Sequence, residues 1–429
     1  MKITKIKGGI LMFALLWNNK DFLKLWLSQV ISQLGDGITR VILIYLIGTS
    51  SQNSFLIGMV IFIQLLPTTL FSFFFGPVID TYSKKWIMFY SDIYRMIIIF
   101  CMIPFINSPY VLLFLLGIHG LGTALFNPAK TAIIPSLVGT NKVTEAISIS
   151  QSTYSVMQII APSIGGVILF FQSYSLSFFI NGITFLISAI LIMLLSKQRI
   201  QINDKIDSYW NSIKLGITTV TNIPELKFLL IILTPVSLTL GILNTNLVAI
   251  LLQEVKVPAV HFGFLEAIVG IGAIIGALFS TKFLKQFSPN RILISGSFSI
   301  GFLMMIILFL KESVLYFGLS PVYLWCTFIG ITTSLLNIPI SSLFILVTPE
   351  KFRGRGSTIM TTVMNLSSMI GLLLGGWIAN LLGGLITTVI SGAILIIFTT
   401  LFPFLKGYQS LKTPSYITLN KQVERGMTE

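Results

Sequence analysis

Two residues of opposite charge, Asp36 and Arg40, lie four positions apart inside a long apolar run. On a helix this spacing places both side chains on one face, where they can meet. Charged groups inside a membrane span usually face protein or water and mark a transport pathway. Asp36 is therefore a candidate for proton coupling, with a mutually satisfied structural pair as the alternative. Glu266, in the second half of the chain, is a further candidate for proton coupling. The alternative is that it only lies in a water-filled vestibule at the membrane surface.

A second polar cluster separates two apolar runs at residues 76–85, with the sequence GPVIDTYSKK. Gly76 permits a tight turn, and Asp80 suits a helix N-terminus and could pair with Arg95 across the loop. We call residues 76–85 the gating loop. Its candidate residues are Gly76, Asp80, Lys84 and Lys85, and the following helix adds Asp92 and Arg95. It could act as a latch that opens in one state, or as a static ion pair that only fixes topology.

A third group, Pro162, Gly165 and Gly166, lies within another apolar run. Proline bends a helix and glycine lets a neighbouring helix approach closely. We expect either an interface that seals and rocks between states or ordinary helix packing. His119 stands among small residues, where a packed, hydrogen-bonded role is expected rather than a proton relay.

No enzyme or ATP-binding motif accompanies these residues. The sequence has no G-x-x-x-x-G-K-[ST], no H-E-x-x-H and no G-x-S-x-G, and its histidines are His119 and His261. The cysteines, Cys101 and Cys326, both lie in apolar runs and indicate neither a disulfide framework nor a metal site. We therefore expect no catalytic residue, metal or cofactor, and a gradient or a separate subunit as the energy source.

The elements that carry these residues must be membrane helices. Hydrophobic residues make up 54% of the chain and charged residues 10%, against about 25% charged in soluble proteins. A helix needs roughly 20 apolar residues to cross a bilayer, and the apolar runs are continuous rather than alternating. The sequence predicts an all-α polytopic protein with twelve transmembrane helices in two six-helix halves. The predicted spans are 22–47, 55–75, 86–106, 110–126, 146–171, 176–195, 228–252, 262–283, 292–310, 321–347, 357–382 and 385–405.

The polar segments between spans define the domains and the orientation. The predicted domains are a lead-in on the membrane surface at 1–24, the first half at 25–195, a linker at 196–227, the second half at 228–405 and a tail at 406–429. With the N-terminus inside, 24 of the 28 lysines and arginines fall in inside segments. The positive-inside rule then places both termini in the cytoplasm of a cell-membrane protein. The net charge of +14 is explained by topology and anionic lipids, without a nucleic-acid partner.

Internal similarity indicates that the two halves are duplicated. Gly120 and Asn127 coincide with Gly330 and Asn337 at an offset of 210 residues. At the same offset Gly165 and Gly166 coincide with Gly375 and Gly376, and near an offset of 200 Gly76 coincides with Gly276. Parallel repeats of this kind are common in transporters.

The GPVIDTYSKK loop resembles the signature of the major facilitator superfamily, G-x-x-x-D-[RK]-x-G-[RK]-[RK], found between the second and third spans. The matching residues are Gly76, Asp80, Lys84 and Lys85, and the departures are Thr81 and Ser83. APSIGG, from Ala161, is similar to the antiporter motif G-P-x-x-G-G. The opening FLKLWLSQVISQLGDGITRVILIYLI is similar to the drug-export branch that includes macrolide efflux proteins and the enterobactin exporter. One departure is Leu116, where the superfamily's fourth span has an arginine before G-x-G-x-A.

This resemblance implies the major facilitator fold and a secondary transporter working by alternating access. It would export hydrophobic or amphipathic compounds, such as macrolide antibiotics, in exchange for protons. Our own hypothesis from the residues is that Asp36, Arg40 and Glu266 take part in the coupling. A lysolipid or siderophore transporter of the same fold is one alternative, and a non-transporting membrane receptor or assembly subunit is another. The expected partners are the substrate, protons and the lipid bilayer, and we expect a monomer.

Overall fold

The structure is a computed structural model, and it describes residues 15–51, 53–74, 81–139, 142–196, 224–347, 353–405 and 408. Two members of the predicted gating loop, Gly76 and Asp80, lie outside these residues, as do most of the predicted linker and tail.

Helices make up nearly all of the described chain. Those of the first half are α1 (Lys20–Ser50), α2 (Ser54–Phe74), α3 (Lys84–Met102), α4 (Pro109–Val138), α5 (Val143–Phe170) and α6 (Tyr174–Met193). Those of the second half are α7 (Pro224–Ala249), α8 (Ala259–Gln286), α9 (Pro289–Ile306), α10 (Ser320–Val347), α11 (Arg353–Leu382) and α12 (Gly384–Leu401). A π-helical turn, Ile250–Glu254, extends α7, and a short helix, Leu310–Phe317, follows α9.

Most of these helices have the length and composition of membrane spans. Among the described residues, eleven helical segments are long and apolar enough to cross a bilayer, and α2 contributes a shorter apolar stretch, Ser54–Leu70. The all-α polytopic class predicted from the sequence is confirmed.

The helix α4 extends well beyond its predicted end. The predicted span stops at residue 126, yet the helix continues through Pro128 and Pro135 to Val138. Proline is tolerated inside membrane helices because neighbouring groups and small local adjustments satisfy the backbone carbonyls that it frees. As a consequence Lys130, which was predicted to lie in a loop, is a helical residue.

The helices group into two compact units. The first unit holds α1, α3 to α6, α2 from Met59 onward, and the start of α8, Val257–Ala267. The second unit holds α7, α9 to α12, the beginning of α2, Asn53–Gly58, and α8 from Ile268 onward. In each unit, therefore, five whole helices are joined by parts of α2 and α8.

Equivalent glycines make equivalent contacts inside the two units. In the first unit Gly165 of α5 lies against Ile38 of α1, and in the second unit Gly375 of α11 lies against Ile242 of α7. Helices α1 and α7 hold the same position in the two halves, as do α5 and α11. The contacts thus support the duplication predicted from the 210-residue offset.

The beginning of α1 is fixed by side-chain hydrogen bonds. Asn19 Oδ1 accepts a hydrogen bond of 2.9 Å from the Phe22 amide, as an N-cap residue does, and Asn19 Nδ2 donates to the Leu137 carbonyl at 2.7 Å. Leu15 and Leu16 are buried in the core of the first unit. This part of the predicted lead-in therefore packs against helices, where the prediction had it lying on the membrane surface.

Candidate functional site

The charges inside the membrane spans are concentrated in the first half of the chain. In the second half, no Asp, Glu, Lys or Arg occurs in residues 228–253, 267–281, 292–310, 321–349 and 357–405. In the first half, Asp36, Arg40, Asp92, Arg95 and Lys130 all lie within the helices. Any charge chemistry deep in the membrane must therefore take place in the first unit.

A cavity of about 490 Å³ lies within the first unit, among α1 to α5. Asp36 and Arg40 of α1, Arg95 of α3, and His119 and Lys130 of α4 all line it. The side chain of Asp36 is 36% exposed, whereas that of Arg95 is only 3% exposed. The cavity therefore brings several titratable groups from three helices to one open space.

Two titratable side chains on other helices lie near Asp36. Its Oδ2 is 3.8 Å from Arg95 Nη1, and its Oδ1 is 3.8 Å from His119 Nε2. These separations exceed the range of an ordinary hydrogen bond, so the contact with Arg95 is an attraction between charges, while Asn181 of α6 supplies a side-chain hydrogen bond. A proton can reach Asp36 from the cavity without first breaking a tight hydrogen bond to Arg95.

Arg95 has a second, closer carboxylate partner, Asp92, one turn earlier on α3. Arg95 Nη2 donates to Asp92 Oδ1, and Asp92 Oδ2 accepts a hydrogen bond of 2.6 Å from Ser188 Oγ on α6. The guanidinium carbon also lies 4.5 Å from the ring centre of Phe126 and 4.4 Å from that of Phe185. Asp92 and the two aromatic rings therefore fix Arg95 even when Asp36 is neutral.

The space for the Arg95 side chain depends on a glycine of α4. A β-carbon added at Gly122 would lie 2.7 Å from Arg95 Cγ and 2.9 Å from Tyr94 Cδ1. Real β-carbons essentially never approach other atoms so closely. Gly122 thus lets α3 and α4 approach while an arginine lies between them, and Gly120 makes room for Pro67 of α2, whose Cγ would lie 2.6 Å from an added β-carbon.

The predicted pair between Asp36 and Arg40 is replaced by tertiary contacts. Both residues line the cavity, so they share a helix face as predicted. Among the described residues, however, Arg40 has no carboxylate oxygen within 4.0 Å, whereas Asp36 is next to Arg95. The i, i+4 rule permits contact on an isolated helix, but the buried cation of α3 lies closer in the folded chain.

Glu266 is separate from this cavity. It is a half-buried residue of α8, within the part of α8 that belongs to the first unit. It is not one of the residues that line the cavity. The structure therefore does not bring Glu266 together with Asp36, and its role in coupling stays a prediction.

Among the residues that the structure describes, the carboxylate partners of Arg95 are Asp92 and Asp36. Asp80, its predicted partner, lies outside the described residues. Arg95 is eleven residues into α3, which begins at Lys84, and at helical rise this is about 16 Å from the helix start. A side chain at that depth pairs with groups on the helices around it.

The lysine pair of the gating loop lies at the start of α3. Lys85 Nζ donates to the carbonyl of Leu195, just past the end of α6. Lys24 Nζ of α1 donates to the neighbouring Leu194 carbonyl at 2.7 Å. A cation near these carbonyls also offsets the negative end of the helix dipole. Lys85 therefore ties α3 to α6, a structural role that its loop position did not predict.

The predicted antiporter motif forms a close helix contact. A β-carbon added at Gly166 would lie 2.8 Å from Gly263 Cα and 3.0 Å from the Val260 carbonyl oxygen, both on α8. One added at Gly263 would lie 2.7 Å from the Pro162 carbonyl oxygen. The two backbones touch, so Pro162 and Gly166 contribute to packing within the first unit, and the sealing or rocking of this interface stays a prediction.

The neutral polar lining of the cavity was missed by the sequence analysis. Six amide side chains line it, namely Gln29, Gln33, Gln64, Asn127, Gln151 and Gln158. Helical spacing could have found part of this set, because Gln29, Gln33, Asp36 and Arg40 recur every three or four residues along α1. Lys130 could not be placed because α4 was expected to end before it.

The transmembrane secretion effector family matches residues 13–419, nearly the whole chain. The protein belongs to this family of major facilitator transporters. Macrolide efflux protein A of Streptococcus pyogenes is 21% identical to it over 408 residues, which cover 92% of this chain and 98% of that protein. The staphyloferrin A transporter of Staphylococcus aureus (strain NCTC 8325 / PS 47) is 24% identical over 304 residues, which cover 70% of this chain and 76% of that protein.

The fold of this protein is shared with solved transporter structures. A mutant of the nucleoside transporter NupG superposes with a TM-score of 0.73 at 15% sequence identity, covering 92% of this chain and 100% of that one. The major facilitator fold predicted from the GPVIDTYSKK loop is confirmed.

Proposed function

We propose that this protein is a secondary active exporter that exchanges protons for its substrate by alternating access, and that Asp36 carries the proton. The observation that supports this most directly is the position of Asp36, open to a cavity and 3.8 Å from both Arg95 and His119. A carboxylate placed in this way can be neutralised from the cavity side.

The neighbours of Asp36 make its protonation reversible. When Asp36 is ionised, it shares Arg95 with Asp92. When Asp36 takes up a proton, Arg95 keeps the buried Asp92 as its counter-ion, so no unpaired charge is left in the protein interior. Protonation of Asp36 then weakens the attraction between α1 and α3. Such a change biases a two-state equilibrium of the kind that alternating access needs.

The proposal names the substrate only by its broad chemical class. Macrolide efflux protein A supports the hydrophobic or amphipathic compounds expected from the sequence, and the staphyloferrin A transporter supports the siderophore alternative. The distribution of lysines and arginines supports a location in the cell membrane with both termini on the cytoplasmic side. We also propose that the protein is a monomer. A non-transporting receptor would have no use for an ionisable Asp36 in the cavity.

Substrate-driven proton movement in everted membrane vesicles tests the proposal. A macrolide and staphyloferrin A are added in parallel, and proton release is followed with a pH-sensitive dye. Asp36→Asn should abolish the proton signal and the flux that an uncoupler inhibits. Asp21→Asn is the matched control, because Asp21 lies at the start of α1, where it pairs with Lys24 at 3.1 Å. Undiminished, uncoupler-sensitive flux in Asp36→Asn would exclude Asp36 as the proton carrier.

A further inference from the structure

We infer that the cavity of the first unit selects a polar anion, a molecule with at least one carboxylate and several hydroxyl or amide groups, over an apolar compound. This inference deepens the proposed function and rests on it for the transport step. It is carried by the charges and hydrogen-bonding groups that line the cavity.

Two cations of the cavity have no acidic partner. Arg40 and Lys130 both line it, and among the described residues no carboxylate oxygen lies within 4.0 Å of either. Arg95 is different, because Asp92 and Asp36 both lie beside it. With both carboxylates ionised these three groups carry a net charge of −1, and Arg40 and Lys130 bring the total to +1. The unmatched charge of the cavity is therefore positive, and it comes from α1 and α4.

A carboxylate ligand would supply the missing partner. Charges that lose water without gaining a counter-ion are unfavourable, so any substrate that displaces water around Arg40 and Lys130 must compensate them. The guanidinium of Arg40 can bind a carboxylate through two parallel hydrogen bonds, and Lys130 can act as a point charge. An apolar substrate would remove the water and give nothing in return.

The neutral lining indicates that the rest of the ligand is polar. It includes six amide side chains, and Ser32, Thr39, Thr68, Thr123 and Ser150 add hydroxyl groups. Among the described residues, the buried Nε2 of Gln29, Oε1 of Gln33 and Oγ of Ser150 have no hydrogen-bond partner. Gln29 lines the cavity and is only 2% exposed, so its unpartnered donor is shielded from bulk water. Hydroxyl or amide groups on the ligand would satisfy these atoms.

The composition of this cavity differs from that of a pocket for apolar compounds. Ligand pockets of about 300 to 1,000 Å³ are usually lined by hydrophobic and aromatic side chains, with few polar groups. This cavity, of about 490 Å³, has the size of such pockets, but its described lining includes only Phe126 and Tyr154 as carbocyclic aromatic residues. Phe126 already packs on Arg95.

The sign of the net charge in the cavity can be tested without knowing the natural ligand. Cys101 and Cys326 are replaced by alanine in the full chain, and Thr123→Cys introduces one thiol into the cavity lining. The rates of modification by an anionic and a cationic methanethiosulfonate are measured and normalised to the rates with free cysteine. Asn107→Cys, in the exposed turn between α3 and α4, serves as the control outside the cavity.

We expect the normalised anion-to-cation ratio to be at least about tenfold higher at position 123 than at position 107, because a charged, low-dielectric cleft concentrates ions of opposite sign. The ratio at position 123 should fall by about tenfold when Lys130→Gln is added. Equal ratios at the two positions, or a preference for the cationic reagent at position 123, would overturn the inference.

The ligand class itself is tested by binding to the purified protein. Citrate, its neutral triethyl ester and the lipophilic cation tetraphenylphosphonium are compared in detergent by calorimetry. Citrate should bind at least about tenfold more tightly than either, and Lys130→Gln should remove this preference while Lys130→Arg retains it. Absence of saturable citrate binding, or tighter binding of the ester or the lipophilic cation, counts against the inference. Binding without uncoupler-sensitive transport in vesicles would instead contradict only the proposed function.

Discussion

Asp92 and Arg95 lie one turn apart on α3 and pair with each other in a position that is almost fully closed to solvent. Asp36 approaches the same arginine from α1 but remains 36% exposed. One cation is thus shared by two carboxylates in unlike environments. Asp92 is placed to hold Arg95 permanently, and Asp36 is placed to respond to the cavity. The two carboxylates should therefore respond differently to the same substitution.

Asp92→Asn should destabilise the protein much more than Asp36→Asn. Removing one partner of a buried ion pair costs about 3 to 5 kcal/mol, and Ser188 Oγ would also lose its charged acceptor. Asp36 is partly exposed and 3.8 Å from Arg95, so its loss should cost little stability. Thermal unfolding in detergent measures both variants, with Ser188→Ala expected to fall between them. A lower melting temperature for Asp36→Asn than for Asp92→Asn would contradict this assignment.

Gly122→Ala should displace Arg95 and impair both stability and transport. The added methyl would lie 2.7 Å from Arg95 Cγ, and the guanidinium cannot move freely because Phe126 and Phe185 enclose it. Overpacking of this kind costs about 1 to 3 kcal/mol.

Gly117→Ala, five residues earlier on the same helix, is the matched control for Gly122→Ala. Its methyl would meet Ile63 Cγ2 at an ordinary 3.4 Å, so stability should stay the same or rise slightly. Equal melting temperatures and equal transport for the two alanine variants would show that the space at Gly122 is not needed.

The fold was predictable because it depends mainly on the length and composition of individual chain segments. Each span appears as a continuous apolar run, and bilayer thickness sets its length. The exposed charge of Asp36 was also predictable, since a carboxylate in such a run is conspicuous. The end of α4 was not, because the fate of Pro128 and Pro135 depends on neighbouring helices rather than on the sequence around them.

The partners of Asp36 could not be predicted, because they are tertiary. Local spacing favoured Arg40, four residues along α1, whereas the folded chain brings Arg95 of α3 and His119 of α4 to the carboxylate. The repeat, by contrast, was predicted from glycines, because a glycine at a helix contact keeps its place when a domain duplicates. Gly165 and Gly375 show this, each lying against the first helix of its own half.

Gly166→Ala should reduce transport more strongly than Gly165→Ala. At Gly166 the new methyl would lie 2.8 Å from the backbone of Gly263. A helix backbone cannot avoid this clash by changing rotamer, as a side chain can. At Gly165 the nearest atom would be the Val41 Cβ at 3.3 Å, a contact that a shift of a few tenths of an ångström relieves. Transport and melting temperature are measured together. If transport falls while stability is kept, the α5–α8 contact moves during the cycle; if both fall together, it is a packing contact only.

Lys85→Met should loosen the end of α6, and Lys24→Met should do the same by about the same amount. Each lysine donates to a carbonyl just beyond α6, at Leu195 and Leu194 respectively, and such cation contacts contribute about 0.3 to 1 kcal/mol each. Hydrogen exchange of the last turn of α6 should therefore speed up several-fold in each variant and more in the double variant. Lys84→Met is the control and should leave this exchange unchanged. If Lys85→Met slows transport without changing the exchange, Lys85 acts in the gating loop instead.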